Sequence, residues 1–156
     1  MSQSKLVDDY LAGIDSLQPV IDGLTPEQLR TRPIVGQWST LEVICHLADT
    51  EALFAERMKR VIAEDRPPLL YADPDAFAAK LAVNDRDPAE EFALIRATRQ
   101  QMARILRAQP PEVWQRIGVH NKAGDQTLEQ LVRKAVDHLQ HHIGFIRTKR
   151  EAMQMR

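Results

Sequence analysis

Two capping boxes constrain this chain more than any other feature. It reads Ser-Thr-Leu-Glu at 39–42 and Thr-Leu-Glu-Gln at 127–130. In each, the first hydroxyl satisfies the backbone N–H three residues on, and the Glu or Gln there reaches back. Each box opens a proline-free stretch, 39–65 and 127–153, whose apolar residues recur at helical spacing. "DPAE" at 87–90 opens a third helix, 88–108, with Asp87 as N-cap and Pro88 at the first helical position. A first helix spans 3–22, ended or bent near its C-terminus by Pro19. "TPEQ" at 25–28 and "DPDA" at 73–76 have the same form but start short segments. No stretch shows sustained β alternation.

Four long helices make an all-α four-helix bundle. The connection between the second and third, roughly 66–87, is long and holds a short helix near 74–82. A long connection lets those two helices run parallel. A faint internal echo supports two related halves, since "TPEQLRTRP" and "PPEVWQRIG" each precede a capped helix that carries histidine.

Composition narrows the function. The 156 residues suit one domain, 1–156, with a real core. A formal net charge of −1 gives no global basic field, so nucleic acid is not the expected partner. No apolar run approaches the ~18 residues of a membrane span, and the N-terminus lacks the pattern of an export signal. The single cysteine, Cys45, cannot form an internal disulfide, which fits a reducing, cytoplasmic setting.

Three of the five histidines fall in "AVDHLQHHIGFI", as His138, His141 and His142. Helical phase separates them. His138 and His142 are one turn apart on the flank of the stripe formed by Leu128, Val132, Leu139, Ile143 and Ile146, while His141 points away. On the second helix His46 flanks the stripe of Val43, Leu47, Phe54, Met58 and Val61. Leu41, Cys45, Ala48 and Ala52 suggest a second packed face there. If these two helices touch, His46 approaches His138 and His142. Three imidazoles suit Zn²⁺, Ni²⁺ or Fe²⁺ and leave a coordination position for water or substrate. Spacing alone admits both this site and three merely structural histidines. A ferritin-like di-iron centre is excluded, because no Glu-x-x-His stands on either helix.

The stretches "WSTLEVICHLADTE" (38–51), "LIRATRQQMARIL" (94–106) and 110–146 resemble, in register, the DinB/YfiT-like superfamily. The resemblance covers roughly 4–150 and implies an up-down-down-up bundle. It also implies a divalent metal on His46, His138 and His142, a small-molecule substrate and a homodimer. Relatives of this kind include enzymes that use low-molecular-weight thiols, so a thiol cofactor is among its implications. A metal-dependent transferase or hydrolase is the leading expectation, and a non-catalytic metal-binding or stress-related scaffold bundle is the alternative. One departure stands out: Phe145 occupies a position where the family often has glutamine.

Other residues carry weaker expectations. Glu42, one turn before His46, is the carboxylate best placed to orient it, although its capping role already accounts for it. Asp49 and Asp137 are placed on other faces. Arg57 and Arg99 are candidates to bind an anionic substrate at the bundle mouth. Trp38 and Trp114 read as packing anchors, Cys45 as a small buried hydrophobe, and His141 and His120 as surface and loop histidines. Tyr71 and His120 sit on connections that could rim the site.

Overall fold

A computed structural model of the chain describes residues 2–153. The bundle helices are α1 (Gln3–Ile21), α3 (Thr40–Ala63), α5 (Pro88–Arg107) and α6 (Leu128–Ala152), with short α2 (Pro26–Arg30) and α4 (Pro74–Lys80) in the connections. Both expected capping boxes form, Ser39 with Glu42 and Thr127 with Gln130, and Thr25 with Gln28 adds a third. Pro19 lies inside α1 and does not end it; the helix runs two residues further.

Two core clusters give the helix directions. One joins Leu6 and Tyr10 of α1 with Met58 and Val61 of α3, Met102 and Leu106 of α5, and Leu128 to Ala135 of α6. The other joins Ile14 to Val20 with Val43 to Ala48, Phe92 and Ile95, and Leu139 to Ile146. Residue numbers therefore rise along α1 and α6 as they fall along α3 and α5. The topology is up-down-down-up. α1 packs on α5 and α6, and α3 packs on the same two, which places α1 and α3 on one diagonal.

Between the two clusters lies a buried polar layer. Arg99, 1% exposed, donates to Glu51 (2.8 Å), to the Tyr10 carbonyl (2.7 Å) and to the Ala135 carbonyl (2.9 Å). Its guanidinium lies 4.4 Å from the Tyr10 ring centroid, and the Tyr10 hydroxyl donates to Glu51. One side chain thus ties all four helices at mid-height. Gly13 of α1 makes room for it, since a Cβ there would sit 2.7 Å from both the Arg99 guanidinium and the Leu139 side chain.

The sequence showed no strand, and here the structure differs. A small sheet of β1 (Pro68–Leu69), β2 (Ile117–His120) and β3 (Gly124–Thr127) has the order β1-β2-β3. β1 runs parallel to β2, with Pro68 opposite Val119, and β2 pairs antiparallel with β3. Strands of two and four residues are too short to show a period of two. They pin the α3–α5 connection against the α5–α6 connection, with Leu69 fully buried beneath Gly118. Among the described residues, no helix is long and apolar enough to cross a membrane.

The second face of α3 is packed at Leu41, Cys45 and Ala48, whereas Ala52, expected on the same face, is exposed. Leu41 and Cys45 form a small cluster with Val83 and Leu29. Cys45 is fully buried, and burial pushes its thiol up to about 11. At pH 8 the thiolate is then about 0.1% of the total, so the folded protein resists alkylation. Iodoacetamide should leave Cys45 unlabelled in native protein during a time that labels the urea-unfolded chain fully, as read by mass spectrometry. Rapid labelling of the native chain would contradict this packing.

Candidate metal centre

α3 and α6 run antiparallel, and this brings His46 level with the turn between His138 and His142. The facing nitrogens of His46 and His138, both Nε2, are 3.0 Å apart. Ring centroids lie 5.0 Å apart for His46 and His138, 4.7 Å for His46 and His142, and 4.5 Å for His138 and His142. One nitrogen from each ring falls within 4.8 Å of the others. The helical wheels singled out these three, and the fold brings them together. His141 is exposed, its ring against Phe145 at 4.4 Å.

The donor set fits a divalent cation. A separation of 3.0 Å suits a hydrogen bond between neutral rings. It is also the edge that two imidazoles span at about 90° with bonds near 2.1 Å. His142 is buried, and its Nδ1 has no hydrogen-bond partner among the described residues. Leaving a buried nitrogen unsatisfied costs about 1–3 kcal/mol. Burial, and then the other imidazoles, push His138 down to about 4 and His142 down to about 3. Burial also lowers His46, with Asp49 and Asp75 pulling the other way. All three rings are neutral at pH 7, the state a cation requires.

A cleft of about 350 Å³ opens on His142, lined by Trp38, Val43, Phe145, Lys149 and the 36–37 loop. Trp38 is more than the packing anchor its position suggests, because its ring lies 5.1 Å from that of His46 and forms a cleft wall. Its place just before the α3 N-cap, two turns from His46, was the available signal. Trp114 is the anchor expected, buried in the first core cluster.

Several other candidates are occupied elsewhere. Arg99 is the buried tie described above and faces no solvent, so it is not an anion binder. Arg57 donates to the Leu70 carbonyl (2.5 Å) and holds the α3–α5 connection. Asp49 pairs with Arg86 at 2.9 Å, and Asp137 is exposed. Glu42 caps α3 and pairs with Arg32. Burial works to raise its carboxyl, but the hydrogen bonds from Arg32 and Ser39 outweigh it and hold it low. His120 is a buried β2 residue and not a loop histidine; its Nδ1 accepts the N–H groups of Lys122 and Ala123, each at 3.1 Å. Tyr71 is half-exposed, with the Lys122 ammonium 3.4 Å from its ring centroid.

Residues 10–146 match the sequence profile of the DinB superfamily. A Bacillus licheniformis protein is 27% identical over 150 residues, covering 96% of this chain and 85% of its own. The Bacillus subtilis protein YfiT is 27% identical over 131 residues, covering 83% and 74%. Both are named as presumed metal-dependent hydrolases. The solved YfiT structure is described as that of "a probable metal-dependent hydrolase with an unusual four-helix bundle topology". It superposes with a TM-score of 0.93 at 24% identity, over 100% of this chain and 91% of that one. A mycothiol-dependent maleylpyruvate isomerase shares the fold at a TM-score of 0.74 and 10% identity, over 92% of this chain and 60% of its own.

Proposed function

The chain belongs to the DinB superfamily, and on that premise we propose that it is a divalent-metal-dependent hydrolase of small molecules, with His46, His138 and His142 as the metal ligands. The observation that carries this reading is the convergence of three neutral imidazoles, from two rigid helices, beside an open cleft. When bound, a divalent cation at such a site polarises a water or a substrate oxygen. The names of the two Bacillus relatives support hydrolysis as the reaction. A thiol acting in place of water is the second reading, supported by the fold shared with the mycothiol-dependent isomerase.

The chain's own residues set the conditions. α3 and α6 fix the ligand geometry without loop freedom, which suits a preorganised site. Trp38 and Phe145 give the cleft apolar walls that reduce solvent around the histidines. The mid-height layer of Arg99, Glu51 and Tyr10 holds the helix spacing on which the convergence depends.

Ester, amide and epoxide panels, each with and without added low-molecular-weight thiol, test the reaction class. The zinc-, nickel- or iron-loaded protein should turn over a member of the panel, and the metal-stripped protein should not. Turnover only with thiol present selects the second reading. Full metal loading with no turnover in either arm would favour a non-catalytic metal-binding bundle.

A further inference from the structure

The cleft beside His142 ends on Lys149, a lysine without a side-chain partner among the described residues. Lys149 is 1% exposed, yet it makes no side-chain hydrogen bond or ion pair among the described residues. The nearest carboxylate influence is Glu42, which is already committed to Arg32 and the α3 cap. Buried charges are normally paired, so an unpaired ammonium facing a cleft is suited to an anionic ligand there. Burial lowers the Lys149 amine from its ordinary value, the response of a cation lacking a counter-charge.

Lys149 follows His142 by seven residues, two turns along the same face of α6. Helical side chains lean toward the N-terminus, which carries the ammonium back toward His142. It lies 5.5 Å from the Phe145 ring centroid, between the two positions. The remaining walls are Trp38, Val43 and the 36–37 loop, so the space between the histidines and the ammonium is mainly apolar.

We infer that this cleft is the substrate subsite of the proposed metal centre and takes a small carboxylate with an apolar or aromatic body, its carboxylate on Lys149. The inference rests on the metal-dependent reading only for the position of the reacting atom. A single ammonium, with no guanidinium on the cleft wall, suits a carboxylate monoanion better than a phosphate dianion, which needs more donors. Phe145 places a ring in this cleft and selects an apolar body over a polar one.

Calorimetric titration of phenylacetate and of its neutral analogue phenylacetamide into the full-length protein tests this, in metal-stripped and zinc-loaded forms. The acid should bind roughly tenfold more tightly than the amide in the stripped protein, where no metal can take the carboxylate. Lys149→Met should erase that preference while zinc uptake stays at the wild-type level. Equal affinity for acid and amide, no detectable binding of the acid, or a preference that survives in Lys149→Met would each overturn the inference. The acid–amide comparison on the unaltered protein needs no variant, so a folding defect in Lys149→Met leaves it decisive. A wild-type protein that takes up no zinc would defeat the metal reading, while the stripped-protein comparison would still decide Lys149.

Discussion

Replacing His138 and His142 together by alanine is expected to abolish metal uptake. The unaltered protein, dialysed against Zn²⁺ and freed of excess, should carry zinc stoichiometrically, and the double variant should carry none above background by elemental mass spectrometry. A ligand that binds only the folded state stabilises by about 4 kcal/mol at a thousandfold excess over its dissociation constant. For a chain of this size that corresponds to a rise in Tm of roughly 8–16 °C on zinc addition. The double variant should show no rise. His46→Ala should behave the same way, although His46 lies on α3, because the ligand set is shared between helices. His141→Ala should change neither readout, since His141 is exposed and outside the converging set. Stoichiometric zinc in the double variant would mean that the metal, if any, sits elsewhere.

The second large effect is structural. Arg99→Met should destabilise the fold by about 3–5 kcal/mol, the usual cost of breaking a buried pair from one side. It strands Glu51, 4% exposed, without its cation, and removes the second hydrogen bond that each of two helix carbonyls, Tyr10 and Ala135, receives. At 2–4 °C per kcal/mol the Tm should fall by roughly 6–20 °C. Adding Glu51→Gln should recover part of that loss, because the stranded charge is gone. Urea unfolding of the two single variants and the double variant measures the coupling directly. A loss below about 1 kcal/mol in Arg99→Met would show that the layer is solvated and not buried as described.

These two results rest on residues that the sequence exposed to different degrees. The capping boxes placed the starts of α3 and α6 because they are local devices, settled within four residues. Helical phase then separated His138 and His142 from His141, since one face of a regular helix follows from spacing alone. The pairing of those two with His46 needed α3 against α6, which the wheels could pose only as a condition. Arg99 shows the limit. Its phase, between Ile95 and Met102 on the apolar stripe of α5, put it on the inward face, but its partner Glu51 is 48 residues away and spacing could not name it. The sheet was illegible for a related reason, because strands this short are created by their partners. Lys149 was within reach: its phase, two turns beyond His142, already placed it on the inward face.

The central claim is that His46, His138 and His142 hold one ion. Crystals of zinc-loaded protein, measured on both sides of the zinc absorption edge, test it most directly. The account predicts a single anomalous peak among the three rings, with one nitrogen of each at about 2.0–2.1 Å. A map with no peak there, or with its peak at His120 or His141 instead, would contradict it.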